Sequence, residues 1–250
     1  MHRILPAPTI EIDTDDAYRA ERLVKDGRPW IMLNMISSAD GGIEVDGVSG
    51  PLGSAGDKDV FGTLRTIPDI ILVGSGTAIA EDYGPTSTSV STRTRRLTNG
   101  AWPVARLAVV SNSLSFDLDS RLFSGNADQR PIVITSEGAD GDRLDRVSDV
   151  ADLVVTSGSR VDLSEAMAQL AGIGARVVLC EGGPGLNGQM FEHNLVDEVC
   201  LSVAPLLVGG SARRIATGAA PIEIPTDLEL RHVLTEDHYL FLRYVVSPMV

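Results

Sequence analysis

The run Val177-Val178-Leu179-Cys180-Glu181-Gly182-Gly183-Pro184-Gly185-Leu186-Asn187 constrains this chain more than any other stretch. Its first four residues are all apolar, the pattern of a strand buried on both faces. Gly182-Gly183 breaks that strand, and a helix is predicted to resume through Phe191. Two residues without a Cβ let a ligand approach their backbone and permit φ > 0. A helix start presents unpaired N–H groups and a partial positive charge, which suits a phosphate. Strand, glycine pair and helix together fit a nucleotide pyrophosphate site; a bare βα turn is the alternative.

A second junction repeats the pattern. Residues 69–73 (Asp-Ile-Ile-Leu-Val) read as a buried strand, and Gly74-Ser75-Gly76-Thr77 opens a short helix reaching Ala80. Both junctions would lie at strand carboxyl ends, where open α/β sheets take their ligands. Known phosphate motifs do not match: Ile79 stands where a dinucleotide fingerprint needs its third glycine, and no glycine loop is followed by Lys-Ser or Lys-Thr. His2, His193, His232 and His238 are scattered without ligand spacing, so no metal is expected. A net charge of −13 argues against nucleic acid or an anionic membrane as partner. Backbone amides and a few local arginines must then hold any phosphate. No apolar run approaches bilayer length and no secretory leader is seen at the N-terminus, so a cytoplasmic protein is expected. Cys180 and Cys200 sit in apolar runs and read as small core residues.

The remaining elements follow from periodicity and caps. Residues 1–12 read as an irregular arm, followed by a helix from Thr14 that Gly27 ends. Residues 30–36 form an apolar strand interrupted by one amide, Asn34, whose polar atoms need partners. Ser37-Ser38-Ala39-Asp40-Gly41-Gly42 reads as a turn, and 43–54 as a loop. A helix is expected over 58–66, with Val60, Phe61 and Leu64 on one face and Asp57 near its start as an N-cap or a ligand. Residues 85–100 read as a loop carrying Arg93, Arg95 and Arg96 on a solvated face. Strands are expected at 107–110, 132–134 and 153–155, the first two ending in Ser111 and Thr135-Ser136. A helix at 163–170 and a long strand at 196–207 follow. The last region, 228–246, alternates as an antiparallel hairpin that turns near Glu236-Asp237 and closes a sheet edge. The fold class is α/β, a mostly parallel sheet flanked by helices with an antiparallel C-terminal end. No repeat or linker appears, so one domain is expected over 1–250, with 1–27 as its arm and first helix.

Several of these segments, taken in order, carry a family resemblance. Asn34-x3-Ser38-x-Asp40-Gly41, Val73-Gly74-Ser75-Gly76-Thr77, Glu81-Asp82, Glu181-Gly182-Gly183-Pro184 and Leu195-Val196-Asp197-Glu198 resemble the pyrimidine-reductase domain of riboflavin biosynthesis. That domain has the dihydrofolate-reductase-like fold, and the match resembles its stand-alone actinobacterial form most. The resemblance runs from about Trp30 to Val246. It implies NADPH-dependent reduction of 5-amino-6-ribosylamino-uracil 5′-phosphate to its ribitylamino product. Gly74, Ser75, Gly76, Thr77, Gly182, Gly183, Pro184 and Leu186 would hold the pyrophosphate and nicotinamide half of NADPH. Ser111, Thr135 and Ser136 would hold the adenosine half. Asn34, Asp82 and Glu181 fall on catalytic positions, and Ser38, Asp40 and Asp57 on substrate positions.

This chain departs from the resembling family at two places. Many bifunctional members carry Lys where Asn34 stands. The family run Asp-Asp-Pro-x-Leu-x-x-Arg, whose arginine reaches the substrate phosphate, is here Glu81-Asp82-Tyr83-Gly84-Pro85. Asp57, by analogy with the carboxylate of dihydrofolate reductases, would grip the edge of a pteridine, which makes a folate-type substrate the alternative. A catalytically silent nucleotide-binding module is the second alternative. The apolar hairpin over 239–246 and strand over 199–204, together with the resemblance, lead us to expect a homodimer.

Overall fold

A computed structural model describes residues 1–25, 27–218 and 225–247. In chain order the elements are β1 (His2–Leu5), β2 (Ile10–Glu11), α1 (Thr14–Ala17), β3 (Trp30–Ser38), α2 (Ala55–Leu64), β4 (Ile70–Gly74), α3 (Ser75–Ala80) and α4 (Val90–Thr98). They continue with β5 (Arg106–Val110), β6 (Ile132–Ser136), α5 (Gly141–Ser148), β7 (Asp152–Thr156), α6 (Leu163–Gly172), β8 (Val177–Cys180) and α7 (Pro184–Glu192). Last come β9 (Glu198–Ala204), β10 (Leu228–Glu236) and β11 (Tyr239–Val246).

The chain is organised as two compact units, one of residues 1–21, 31–65 and 180–250, the other of 22–30 and 66–179. Neither is a contiguous stretch of sequence, so the division does not produce two successive domains.

In the first unit the strand order is β2-β1-β10-β11-β9-β3. β3 and β9 run parallel, with Asn34 opposite Cys200 and Ile36 opposite Ser202. The β10–β11 hairpin and the β11–β9 pair are antiparallel, as the alternation over 228–246 predicts. The Ile31 amide donates to the buried Asp197 carboxylate at 2.9 Å, which ties the start of β3 to the start of β9. Helix α2 buries Gly56, Val60 and Leu64, one face at i, i+4, i+8, and a Cβ on Gly56 would press against Glu236 and Phe241.

In the second unit the order is β8-β4-β5-β6-β7, with β4, β5, β6 and β7 parallel. Its core is aliphatic: Ile71, Val73, Leu107, Val109 and Leu122 form one cluster, and Leu114, Val133 and Val147 another. Both units confirm the expected α/β class.

Some local expectations fail. Residues 1–12 are not an irregular arm: β1 pairs with β10, Arg3 opposite Leu234, and β2 pairs with β1. The C-terminal hairpin therefore lies inside that order, and β2 is at its edge. Helix α1 has four residues because Tyr18 leaves the helix to be buried edge-on against His232, ring centroids 4.9 Å apart. The stretch 85–100 contains α4, capped by Ser89, which accepts from the Thr92 amide. Its hydroxyl-rich sequence hides it. Arg96 does not lie on a solvated face: it is buried, donating to the carbonyls of Trp102, Thr66 and Pro68 at 2.8, 2.7 and 2.6 Å. Helix α5, which carries Leu144 and Val147 three residues apart and is capped by Asp140, was not expected either.

Candidate active site

Glu181 ends β8 and is enclosed, its side chain 2% exposed. Both carboxylate oxygens are gripped by Arg65, whose Nε donates to Oε1 at 2.8 Å and Nη2 to Oε2 at 2.6 Å. The Arg65 guanidinium lies 4.2 Å from the centre of the Phe61 ring. Such a bidentate, ring-stacked arginine has its orientation fixed twice over. Sequence reasoning missed Arg65. Its signal was the spacing Asp57-x3-Phe61-x3-Arg65, which places three side chains along one face of α2, beside the apolar face.

Asp57 is not the cap of α2. Ser54 is, its hydroxyl accepting from the Asp57 amide at 3.1 Å. The Asp57 carboxyl instead turns inward, half-buried, and bonds the buried Ser202 hydroxyl on β9. Burial pushes its pKa up, with the Ser202 hydrogen bond and nearby Lys58 pulling the other way.

The turn after β3 is built on Ser38 and Asp40. Ser38 Oγ donates to Asp40 Oδ1 at 2.5 Å and accepts from the Gly42 amide at 2.9 Å. Asp40 also accepts from the amides of Val208 at 3.1 Å and Gly209 at 2.7 Å. The Ser38 hydroxyl and these amides hold its pKa down at about 2. Its carboxylate is thus spent on its own turn and on the segment after β9. Asn34 is half-buried at the middle of β3.

At the glycine pair, Gly182 takes φ +95 and the Gly182–Gly183 peptide is cis. A Cβ on Gly182 would lie against Met35 Sδ and Asn187 Nδ2. Gly183 is the N-cap of α7, makes no side-chain cap bond, and is followed by Pro184 and no acidic residue in the first turn. Asn187, fully buried, was also missed. Its Nδ2 donates to the Ile215 carbonyl at 2.6 Å and touches Met35 Sδ, and its Oδ1 faces Cys180 Sγ at 3.5 Å. Cys180 and Cys200 are thiols rather than a disulfide, and burial pushes the Cys180 thiol up to about 12.

In the second unit Gly74 caps α3 in the same way, without a side-chain bond and without acids in the first turn. The other α-helices among the described residues are capped by side chains, those of Asp13, Ser54, Ser89, Asp140 and Asp162. The two predicted junctions are thus the two α-helix starts among the described residues that lack a side-chain cap. Ser75, Gly76 and Thr77 lie inside α3. Ser111 is buried and accepts from the Leu114 amide. Thr135 and Ser136 are fully enclosed, and their hydroxyls have no hydrogen-bond partner among the described residues. They therefore present no exposed hydroxyl. Asp82 is exposed, at φ +47, and paired with Arg121 at 2.9 Å. It follows the end of α3 in a left-handed turn and is not enclosed as Glu181 is. Among the described residues no helix is long and apolar enough to cross a membrane.

Comparison with known proteins identifies a family. The family model of the RibD C-terminal domain matches residues 29–240. A 2,5-diamino-6-ribosylamino-4(3H)-pyrimidinone 5′-phosphate reductase of Methanothermobacter thermautotrophicus is 31% identical over 224 residues, 88% of this chain and 99% of that protein. A reductase of the same description from Archaeoglobus fulgidus is 31% identical over 185 residues, 73% of this chain and 83% of that protein. A crystal structure of a pyrimidine reductase-like protein from Corynebacterium diphtheriae superposes with a TM-score of 0.85 at 28% identity, covering 95% of this chain and all of that one.

Proposed function

This chain belongs to the RibD C-terminal domain family, and from that premise we propose that it is an NADPH-dependent reductase of a ribosylaminopyrimidine 5′-phosphate in riboflavin biosynthesis. The observation that carries the cofactor half is the pair of glycine-capped, acid-free helix starts at α7 and α3. A diphosphate fits such a start, because uncapped N–H groups and the helix dipole both favour negative charge. In a chain of net charge −13 these positions avoid adding local carboxylates.

NADPH supplies the hydride when bound; the protein's own residues bind, orient and exclude water. Gly182, Gly183, Pro184 and Leu186 are assigned to the cofactor in the first unit. Gly74, Ser75, Gly76, Thr77 and Ser111 are assigned to it in the second, with Thr135 and Ser136 shaping a strand end there. Asp57, oriented by Ser202, is assigned to the N–H edge of the substrate ring. Glu181 is assigned to the reacting end through the guanidinium it holds. Asn34 and Ser38 are assigned beside it, and Asp82 is the remaining acidic candidate. We further propose a cytoplasmic homodimer that acts as a single reductase domain.

A second reading rests on Asp57. A half-buried carboxyl on α2 with a hydroxyl partner suits the aminopyrimidine edge of a pteridine equally well. The test is to mix the protein with NADPH and each candidate, the ribosylaminopyrimidine phosphate or dihydrofolate, and follow reduced-nicotinamide absorbance. Oxidation with the first supports the proposal, and oxidation with the second alone supports the pteridine reading. Cofactor binding without oxidation in either mixture supports a silent module and overturns both.

A further inference from the structure

The segment that follows β9 is laced along its length to two other parts of the first unit. The Ala39 amide donates to the Leu206 carbonyl at 2.9 Å, and Asp40 then accepts from Val208 and Gly209. Gly209 and Gly210 turn the chain in two consecutive left-handed conformations, φ +64 and +62, which other residues adopt only at a cost. The Ile43 amide next donates to the Arg213 carbonyl at 3.1 Å, and the Arg213 guanidinium pairs with Glu44.

Beyond Arg213 the segment passes onto α7. The Ile215 carbonyl accepts from Asn187, and the Thr217 amide donates to the Pro184 carbonyl at 2.9 Å. Gly188 has no Cβ, which would run into the Thr217 carbonyl, so the segment seats directly on the helix backbone. Two of these contacts fall on the first turn of α7, the turn whose N-cap has no side-chain bond.

We infer that residues 206–217 form a strap, clasped by Asp40 at one end and Asn187 at the other, and that both residues position the first turn of α7 for the cofactor phosphate. This rests on the NADPH assignment of that turn. Its consequence is specific: Asp40 acts on the cofactor side through the strap, and not as a substrate ligand. Neither residue touches the cofactor; both are positioning residues.

The test has a ligand-free arm and a cofactor arm. Asp40→Ala removes one clasp at an exposed site, Asn187→Ser removes the other, and Thr217→Pro serves in its place if the buried variant does not fold. Amide exchange of the apoprotein is read first. The strap predicts that Asp40→Ala speeds exchange at Val208 and Gly209 and also at the far end, at Thr217 and Asn187. In the cofactor arm, each single variant weakens NADPH binding by roughly threefold to thirtyfold. The substrate KM and the kcat at saturation stay within about twofold, and the double variant is little worse than the weaker single one, as expected for two groups acting through one element. Faster exchange confined to 208–209, or multiplicative losses in the double variant, overturns the strap. A raised substrate KM with NADPH binding unchanged overturns it too and restores Asp40 as a substrate ligand. If the wild-type protein does not bind NADPH, the cofactor role falls, and the exchange arm alone decides whether the two ends are coupled.

Discussion

Arg65 donates to both carboxylate oxygens of Glu181, at 2.8 and 2.6 Å, across 116 residues of sequence. One partner is enclosed and the other is one-third exposed, so the pair lies between a surface bridge and a buried one. The arrangement makes Glu181 a holder of a cation at the end of β8, and its chemistry cannot be separated from that of Arg65.

Glu181→Gln keeps the shape but removes the charge. It should lower stability by about 2–3 kcal/mol, the scale of a hydrogen bond to a charged group in a largely enclosed site. Turnover should fall by a larger factor than substrate binding. Arg65→Lys cannot reproduce the two-pronged geometry and should show the same pattern more weakly. Thermal melts and steady-state kinetics on both variants check this. A substrate KM effect without a kcat effect would reassign the pair to binding.

Asp57→Asn tests the ring-edge assignment. The Ser54 cap remains intact in this variant. Substrate binding should weaken by about 2–3 kcal/mol, roughly 30- to 150-fold, while NADPH affinity is unchanged. An unaltered KM in an active reductase removes Asp57 from the site.

The same residue gives a pH prediction with a definite sign. Its folded pKa is raised, so the folded state binds the extra proton over the interval above the ordinary aspartate value of about 3.9. Stability contributed by that proton is present below this value and is lost as pH rises through the folded pKa. Asp57→Asn should flatten that descent. Denaturant midpoints measured from pH 3 upward in ~0.5 steps, wild type against variant, decide it; parallel curves would contradict the shift.

Arg96 has a structural role and no expected kinetic one. Removing a buried guanidinium leaves the Thr66, Pro68 and Trp102 carbonyls without their donor, and Asp69 Oδ1 loses a cation at 3.9 Å. Arg96→Ala should cost about 3–5 kcal/mol, with KM values unchanged in whatever fraction folds. A melting temperature equal to wild type would refute the burial.

The dimer proposal can be broken at one residue. Leu228, Leu230 and Leu240 are exposed on the β10–β11 hairpin. Light scattering at micromolar protein should give a dimeric mass, and Leu240→Lys should reduce it towards monomer. A monomeric wild type ends the proposal.

The sequence was most readable where chemistry is local. Gly182-Gly183-Pro184 and Gly74-Ser75 mark helix starts by composition alone, and the hairpin turn expected near Glu236-Asp237 falls one residue later, at Asp237-His238. What sequence hides is partnership at a distance. Nothing near Asp40 shows that its carboxylate is taken up by the amides of residues 208 and 209. Nothing near Asn187 shows that it answers Ile215. Thr135 and Ser136 look like hydroxyls at a strand end, a site for a ligand, until their burial is seen. Helices α4 and α5 were lost for another reason: each is short and carries only two apolar residues, Val90 and Leu97 in α4, Leu144 and Val147 in α5, too few to stand out as a repeating face.

The hydrogen bond from Ile31 to Asp197 spans 166 positions of sequence. A ribosome adding roughly 5–20 residues per second takes about 8–33 s to cover that distance. For all of that time β3, rich in Ile, Met and Leu, has emerged without the strand that will lie beside it. Every residue of the second unit is made by position 179, before β9 exists. The nascent chain therefore carries a bare apolar strand edge through much of its synthesis, the kind of surface that chaperones shield and that aggregates when they do not.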